Sequence, residues 1–489
     1  MRQRIPLILF ILTALLVFTP LLQEHLHIFH FKRLWGVVDE KPQPELNLKN
    51  WNNHSIQNWT ESYLKLHYGL REPLTRWYNQ YQWDFYGINN LKNNRWIYIS
   101  DDGWFYENFY VEEYYSGLGW QIAKSKAELV KKLDDEAFRV SQLQNILEKY
   151  GVHLFVMLEP GKEQIYPEHV PTNTPYPHNK ELSAYEFYHK RFKELGVNCF
   201  DVPQWFLQIK DSVDFNLFPQ TGTHWSNLAS MYVADSLIRY MEQLGGMNIR
   251  NLRIGEKYQK TVFPDNDLES LMNLMRPLKT QPNYYANTAL VDDSTAVSPK
   301  IITIGDSFYW NILNSSHFVD AFRSHPYWYY FSTIYFDPYH KNVSQVDLVH
   351  EVLSADFVMI AFNTTMLYEL NKGFPQQLLL EMCTDEFDMK EAEEECVKTI
   401  RNNALWLGDV TQRAEEFQLP VDTFLMEEVR NSIQKNPSQF IPALRDTIPH
   451  LNLRSRLLYA KKKHLPAIPL IDTRASDTIL MFTDYGIQQ

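Results

Sequence analysis

A serine and a histidine lie at the ends of predicted secondary-structure elements, where they could act together as nucleophile and general base. Ser307 follows the apolar residues 301–304, which predict a buried strand, and precedes a predicted helix over residues 309–313. The turn from such a strand into a helix exposes backbone N–H groups that can stabilise an oxyanion. His224 precedes a predicted amphipathic helix over residues 227–243, whose positive end disfavours the imidazolium. A general base must be neutral, so this position favours that role.

Neither motif is specific alone. A Gly-Asp-Ser string at a strand end is often a helix cap, and this one lacks the second glycine of the G-x-S-x-G elbow. His224 also needs a third group to orient its other ring nitrogen. The position two residues before it holds Gly222, and the sequence does not choose among the nearby carboxylates Asp201, Asp214 and Asp306, of which Asp306 reads as structural.

Three further polar residues follow predicted strands, so they belong on the same edge of the sheet. Lys162 and Tyr166 come after the strand predicted over residues 152–158, and Asn363 comes after the strand over residues 357–362. Lys162 and Tyr166 could contact substrate, or simply pack their loop on the domain. Asn363 could donate to an oxyanion, or could form a turn.

The pattern along the chain predicts an α/β fold with a mainly parallel sheet flanked by helices. A helix opened by Ser125 and stopped by Gly151 leads into strand 152–158, and a second helix over 185–195 leads into strand 197–202. Residues 96–99 and 104–106 predict a hairpin. Beyond residue 365 the pattern becomes helical, so we predict one α/β domain over residues 51–370 and a helical C-terminal region of unknown role over 371–489.

The N-terminus predicts a membrane anchor. Residues 5–22 are predominantly apolar and long enough to cross a bilayer as one helix, and Arg2 and Arg4 favour keeping the short end in the cytoplasm. A cleaved signal peptide is the competing interpretation, although no small-x-small cleavage site follows. We therefore divide the start of the chain into an anchor over 1–23 and a tether over 24–50.

Composition removes several classes of function. The net charge of −12 over 489 residues, without a basic stripe, gives no support for nucleic-acid binding. No nucleotide-binding or metal-binding motif occurs, so no cofactor and no metal are expected. Aromatic residues make up 15% of the chain, which fits a carbohydrate cleft or a large core. Of the three cysteines, Cys383 and Cys396 could close a short disulfide loop.

An ordered set of segments across residues 63–365 resembles the alginate O-acetyltransferases of the AlgJ and AlgX type, which have an SGNH-hydrolase-like domain. The resemblance is carried by Y-G-L-R at 68–71, D-D-G-W-F-Y at 101–106, E-P-G-K-E-Q-I-Y-P-E at 159–168, T-G-T-H-W-S at 221–226 and G-D-S-F at 305–308. The family also places its histidine before its serine, a permuted order relative to ordinary SGNH hydrolases.

The resemblance implies that Ser307 takes an acetyl group as an ester and passes it to a polysaccharide hydroxyl, while His224 moves the proton. It also implies a membrane-bound acyl-donor partner of the MBOAT type and a single-pass inner-membrane protein facing the periplasm or exterior. Gly222 stands where the family has its aspartate. Three alternatives for the third catalytic residue remain open: a Ser-His dyad without it, a carboxylate recruited from another loop, or lost activity. The alternative functions are an esterase with the same pair and a non-catalytic polysaccharide-binding scaffold.

Overall fold

The computed structural model describes most of the chain between residues 18 and 445. The described ranges are 18–36, 40–87, 96–117, 125–172, 174–176, 182–370 and 372–445, with Phe10, Thr13 and short pieces at 451–452, 454–455, 458, 470–471 and 479–480. The predicted anchor over residues 5–22 lies largely outside these ranges. Within the described part of the chain, no helix is both long and apolar enough to cross a bilayer. The anchor stays a prediction.

The described strands and helices alternate through the middle of the chain and become helical after residue 370. The strands are β1 (Ile97–Ile99), β2 (Phe105–Glu107), β3 (His153–Glu159), β4 (Cys199–Asp201), β5 (Leu252–Ile254), β6 (Tyr258–Gln259), β7 (Tyr284–Tyr285), β8 (Thr288–Leu290), β9 (Ile301–Gly305), β10 (Tyr327–Tyr329), β11 (Thr333–Tyr335), β12 (Phe357–Asn363), β13 (Leu470–Ile471) and β14 (Ile479–Leu480). The α-helices are α1 (Leu48–Asn52), α2 (Ser55–Leu66), α3 (Arg71–Tyr86), α4 (Asn108–Ser116), α5 (Lys126–Lys149), α6 (Lys162–Ile165), α7 (Ala184–Leu195), α8 (Val202–Ile209), α9 (Asn227–Gly245), α10 (Asp267–Leu271), α11 (Tyr309–Ser315), α12 (Leu348–Ser354), α13 (Phe374–Cys383), α14 (Glu386–Asn402), α15 (Ala404–Glu416), α16 (Val421–Lys435) and α17 (Pro437–Phe440). Short 3₁₀ helices cover Pro167–His169, Phe318–Ala321, Val343–Gln345, Thr364–Glu369 and Pro442–Arg445.

A six-stranded sheet forms the centre of the fold. Its spatial order is β11-β10-β9-β12-β3-β4. Every neighbouring pair is parallel except β10 and β11, which form an antiparallel hairpin at one edge. The predicted mainly parallel sheet flanked by helices is confirmed, and the antiparallel edge strand makes it a mixed sheet.

Helices cover both faces of the sheet, which explains its nearly continuous apolar strands. Along β3, Leu154, Val156 and Leu158 face a core shared with α5, whereas Phe155 and Met157 face the opposite core, shared with α9. Strands that are buried on both faces carry apolar residues at successive positions rather than at alternate ones. The carboxyl ends of β3, β9 and β12 therefore meet at one edge, where ligands bind in open α/β sheets.

Local capping signals define the helices that precede the strands. The Ser125 hydroxyl accepts a hydrogen bond from the backbone N–H of Glu128 and begins α5, and Gly151 follows this helix in the left-handed region at φ 67°. Helix α7 is capped by Ser183 and ends at Gly196, at φ 66°. Glycine adopts positive φ without a steric penalty, so both helices stop there, as predicted.

Some predicted boundaries are wrong by a few residues. The strand predicted over 197–202 is reduced to β4, because the Asp201 carboxylate accepts a hydrogen bond from Gln204 N at 2.9 Å and caps α8. The predicted hairpin at 96–99 and 104–106 forms as β1, which begins one residue later than predicted, and β2, which is displaced by one residue. These shifts do not change the order of the elements.

The proposed disulfide between Cys383 and Cys396 is wrong. Both thiols are free and buried, one at the end of α13 and the other within α14. Burial raises the pKa of both thiols, to about 12 and about 11 respectively. The two cysteines therefore act as small apolar side chains in the core.

The helical character predicted beyond residue 371 is confirmed for the described part of that region. Helices α13 to α16 follow one another, and Leu378, Leu379 and Met382 of α13 join the same core as Val358 and Ile360 of β12. The C-terminal helices thus share apolar contacts with one face of the sheet. The boundaries set at 51–370 and 371–489 stay predictions.

Candidate active site

Ser307 lies at the carboxyl end of β9, in the turn that leads into α11, as predicted. Gly305 closes the strand. A Cβ atom at this position would lie 2.8 Å from the carbonyl oxygen of Ala361 on β12, closer than real Cβ contacts allow. Glycine therefore lets β9 and β12 approach each other directly below the serine.

His224 reaches Ser307 across 83 residues of sequence. Its Nε2 atom lies 3.2 Å from the serine Oγ, as the predicted nucleophile and base require. The neighbouring Trp225 is fully buried, and its Nε1–H donates to the carbonyl oxygen of Phe308 at 3.2 Å. The Phe308 ring in turn packs 4.7 Å from the His224 ring. Packing therefore fixes the imidazole against the turn that carries the serine.

Asp267 completes a triad that the sequence did not predict. Its Oδ2 lies 2.7 Å from His224 Nδ1, and its Oδ1 accepts hydrogen bonds from Thr223 N at 2.8 Å and Leu268 N at 2.7 Å. The acceptor on Nδ1 places the ring proton there and leaves Nε2 free to accept from Ser307. The sequence signal nearest to Asp267 is the short acidic string at 265–267 before a helix, and it does not identify a catalytic role.

The carboxylates considered from the sequence have other partners. Asp201 caps α8 and contacts His189 Nδ1 at 2.6 Å, whereas Asp214 pairs with Lys257. The third residue of the triad, which the sequence does not place at Gly222, thus comes from the segment that begins α10. It lies 43 positions after the histidine. The recruited carboxylate is the alternative that this geometry favours.

The same loop explains why residue 222 is glycine. A Cβ atom at Gly222 would lie 2.7 Å from Cγ of Pro219 and 2.9 Å from the backbone oxygen of Asp265. The segment 265–267 therefore occupies the space that an aspartate side chain would need at position 222. A side chain at position 222 would therefore require Pro219 or the backbone of Asp265 to move.

Charges around His224 favour the protonated ring. Burial acts to lower the pKa of His224, but the hydrogen bond and charge of Asp267, helped by Glu107 and Asp306, outweigh it and raise the pKa above its ordinary value. The expectation that the α9 helix end keeps the ring neutral is wrong in its net direction. The raised pKa makes the ring a stronger base, which becomes available as the pH rises.

Asp306 and Asn363 support the nucleophile turn from below. One Asp306 oxygen accepts from Phe308 N at 3.0 Å, and the other accepts from the backbone N–H of Asn363 at 2.9 Å and from its side-chain amide. The Asn363 oxygen accepts from Thr365. Asn363 thus holds Asp306 and forms the turn that leads to Thr365, so of the two roles that the sequence left open, this structure shows the turn.

Glu159, at the end of β3, lies beside Asp306 and is fully buried. Burial and the neighbouring Asp306 charge raise the pKa of Glu159 well above its usual range. Burial also raises the pKa of Asp306, although its hydrogen bonds to Asn363 and Phe308 act in the opposite direction. Two carboxyl groups so close in an apolar environment do not both ionise, so Glu159 carries the proton and Asp306 the charge.

Lys162 is buried and packs its loop on the domain, which is one of the two alternatives that the sequence left open. Its ammonium donates to the carbonyl oxygens of Phe105 and Gln220 at 2.9 Å and of Gly222 at 2.8 Å. Burial lowers the pKa of Lys162 to about 7, against the charges of Asp267, Glu163 and Glu107. The lysine therefore joins the β2 strand to the loop that precedes His224.

Tyr166 is likewise a structural residue. Its hydroxyl accepts from Leu217 N at 3.1 Å, and its carbonyl oxygen accepts from the Tyr106 hydroxyl at 2.7 Å.

Glu107, at the end of β2, accepts from the Thr223 hydroxyl at 3.0 Å. Burial and the Asp267 charge raise the pKa of Glu107 to about 7. Glu107 and Thr223 line a small recess next to the triad, together with Phe105, Tyr106, Tyr110, Lys162 and Glu163.

Among the residues that the structure describes, no three His, Cys, Asp or Glu side chains cluster closely enough to hold a metal ion. The chemistry that the described side chains can perform is acyl transfer through a serine nucleophile. A buried, oriented base and a nucleophile on a strand-to-helix turn are the parts which that chemistry needs.

One family model and one curated protein are similar to parts of this chain. Residues 98–320 match the family described as the SGNH hydrolase-like domain of the acetyltransferase AlgX. A 141-residue stretch is 28% identical to the probable alginate O-acetylase AlgJ of Pseudomonas aeruginosa; it covers 29% of this chain and 32% of that protein. The match thus spans about a third of the length of the curated relative.

Two solved structures are also similar to this chain. The O-acetyltransferase domain of Pseudomonas putida AlgJ is 15% identical, with a TM-score of 0.37 over 56% of this chain and 92% of that one. Pseudomonas aeruginosa AlgX is 15% identical, with a TM-score of 0.38 over 58% of this chain and 66% of that one. The family match and the curated relative thus both indicate that this chain resembles proteins of the AlgJ and AlgX type, with the resemblance to the SGNH hydrolase-like domain lying over residues 98–320.

Proposed function

We propose that this protein is an O-acyltransferase that works through an ester on Ser307. The observation that carries the proposal is the continuous line of side chains from Ser307 through His224 to Asp267, with contacts of 3.2 Å and 2.7 Å. A serine hydroxyl is a weak nucleophile at neutral pH and needs a base in contact with it. The oriented imidazole supplies that base.

In the first step, Ser307 Oγ attacks the carbonyl carbon of the acyl donor, and its proton passes to His224 Nε2. The negative charge of Asp267 stabilises the imidazolium that forms. When the tetrahedral intermediate collapses, the bond to the leaving group breaks and the leaving group takes the proton from His224. The acyl group remains on Ser307 as an ester.

In the second step, the hydroxyl of an acceptor gives its proton to His224 Nε2 and attacks the ester carbonyl. Collapse breaks the bond to Ser307 Oγ, which recovers the proton, and the product is an O-acylated acceptor. If water takes the place of the acceptor, the same steps describe an esterase. The two functions differ only in which hydroxyl reaches the acyl-enzyme.

We propose an acetyl group as the acyl group and an exported polysaccharide as the acceptor. The support is the similarity to AlgX and to the probable alginate O-acetylase AlgJ. We also propose, from the sequence of residues 5–22 and from family resemblance, an inner-membrane anchor with the catalytic domain on the outer side and an MBOAT-type donor partner. Carbonate extraction of membranes carrying the full chain, compared with a variant lacking residues 1–23, tests the anchor.

The function is tested by time-resolved mass spectrometry of the full chain mixed with a small activated acetyl ester. We expect an acetyl adduct on Ser307 in the parent and none in Ser307→Ala. Discharge that a sugar oligomer accelerates supports a transferase, and discharge by water at the same rate with or without oligomer supports an esterase. The absence of an adduct and of ester turnover in folded protein contradicts both and favours the binding scaffold.

A further inference from the structure

The hairpin of β10 and β11 has an unusual turn next to the nucleophile. Tyr330 and Phe331 follow β10 with φ of 49° and 52°, and Phe336 follows β11 with φ of 59°. Turn positions with positive φ normally hold glycine, asparagine or aspartate, because larger side chains are disfavoured there. Aromatic residues at three such positions therefore carry a steric cost that the geometry of the turn does not explain.

The turn is held directly beside Ser307. The backbone N–H of Tyr330 donates to the carbonyl oxygen of Gly305 at 2.9 Å, two residues before the serine. Burial raises the pKa of Tyr330, and the Ser307 side chain nearby acts in the opposite direction. The Tyr330 ring lies 6.4 Å from the Phe362 ring and 5.7 Å from the Lys372 ammonium. The backbone of Tyr330 therefore joins the hairpin to the end of the strand that carries the nucleophile.

From Tyr330 the aromatic contacts continue outward without interruption. Its ring lies 4.5 Å from that of Tyr329, which lies 6.3 Å from Trp310. Trp310 lies in the first turn after the nucleophile, where its backbone N–H donates to the carbonyl oxygen of Ser307 at 3.2 Å. It contacts Tyr335 at 4.8 Å and Phe336 at 5.9 Å. We call these five residues the hairpin aromatic surface.

We propose that the hairpin aromatic surface binds the pyranose rings of the acceptor glycan and leads an acceptor hydroxyl to Ser307. The proposal rests on the function proposed above and names the site at which the acceptor lies. Flat aromatic rings match the apolar C–H face of a pyranose, and the phenolic hydroxyls of Tyr329, Tyr330 and Tyr335 can bond to hydroxyls at its edge. Continuity with the nucleophile sets this surface apart from the other exposed aromatic residues.

The shape of the surface favours a polymer over the acyl chain of a donor. Tyr335, at the end of the edge strand β11, is 39% exposed, and Phe336, which follows the strand, is 55% exposed. An acyl chain is stabilised by enclosure, because its whole surface is apolar. A glycan chain is bound with one face covered and the other solvated, and both ends of the chain must be able to extend beyond the site. An open surface of mixed aromatic and hydroxyl groups fits the second requirement.

The experiment measures binding rather than chemistry, so it is independent of the acyl-enzyme. The full chain with Ser307→Ala is titrated by calorimetry with alginate oligomers, with cellohexaose and with chitohexaose. The same titrations are repeated after adding Tyr335→Ala and Phe336→Ala together, and separately Tyr335→Phe, which keeps the ring. The control is Tyr339→Ala, since Tyr339 is 86% exposed and lies outside the surface.

We expect at least one oligomer to bind, with a Kd raised roughly tenfold by the double alanine change and by less than about threefold in Tyr335→Phe. The Tyr339→Ala variant binds like its parent. Equal affinity with and without the two rings, in protein that keeps its thermal transition, overturns the proposal, as does failure of all three oligomers to bind. These outcomes are separate from the test of Ser307 acylation: a missing adduct with ring-dependent binding would refute the transferase and leave the glycan surface standing.

Discussion

The two flanks of Ser307 are built in different ways. On one flank, His224, Thr223 and Asp267 are held by short, directed hydrogen bonds between 2.7 and 3.2 Å. On the other flank, Trp310 and Tyr335 present aromatic rings that are partly open to solvent. Proton transfer tolerates little error in distance, whereas the polymer acceptor proposed above must be able to bind in more than one register. The side chains of the polar flank are therefore held by hydrogen bonds to one another, whereas the rings of the aromatic flank keep surface open to solvent.

The largest expected effect lies on the polar flank. Asp267→Asn keeps the acceptor for Thr223 N and Leu268 N but removes the charge, so ester turnover should fall by about 10³ to 10⁴-fold. Because Asp267 raises the pKa of His224, the acid limb of the pH–rate profile should move to lower pH in the variant.

The control for this change is Asp214→Asn, at a carboxylate that pairs with Lys257 on the surface. It should leave both the turnover and the pH profile unchanged. A full rate in Asp267→Asn, or an acid limb that does not move, would show that the carboxylate is structural and that the flank is a dyad.

A second change tests how firmly the polar flank is anchored. Lys162→Met leaves the carbonyl groups of Phe105, Gln220 and Gly222 buried without their donor, so the free energy of unfolding should fall by about 2–4 kcal/mol in urea at pH 6. Lys210→Met is the matched comparison, since Lys210 donates to a single carbonyl, that of Ile165. An equal loss in the two variants would contradict the anchoring role.

A third change asks whether the acid can be moved back to position 222. In the Asp267→Asn background, Gly222→Asp should not restore ester turnover, because the new side chain meets Pro219 and the backbone of Asp265. Gly222→Ala in the parent should cost about 1–3 kcal/mol of stability for the same reason. Recovery of more than about a tenth of parental turnover would mean that the segment 265–267 yields to the new side chain.

The smallest effect concerns a carboxyl that neighbours the triad. Asp265 accepts from Asn227 N at 2.8 Å, and burial raises its pKa to about 7. Between pH 4 and pH 7 the unfolded chain loses this proton while the folded chain keeps it, so the contribution of Asp265 to stability falls as the pH rises.

Asp265→Asn keeps the acceptor and removes the titration. The variant should gain about 1–3 kcal/mol relative to the parent between pH 5 and pH 8, measured by urea unfolding. Glu269→Gln provides a comparison at a less buried carboxyl, which accepts from Thr221 and from Leu278 N. A parallel pH dependence in parent and Asp265→Asn would contradict the raised pKa.

The features that depend on local sequence were predictable, and those that depend on distant contacts were not. An apolar strand, a polar turn and a capped helix are signals within ten residues of each other, and they located Ser307 and the ends of α5 and α7. Asp267 could not be found in this way, because its role depends on how the loop after α9 folds back on Thr223. Lys162 and Asn363 were placed on the correct edge of the sheet. The sequence could not show that both side chains are buried there and hydrogen-bonded within the protein.

The packing of Asp265 against Gly222 also constrains how such a site can change by single mutations. An aspartate at 222 with the present loop in place meets occupied space, and a chain with neither acid has only a serine and a histidine. A lineage that moves the acid from one position to the other must therefore pass through a weakened dyad or change both segments together. Relatives of this chain should hold an acid at one of the two positions, with glycine or another small residue at 222 wherever the loop supplies it.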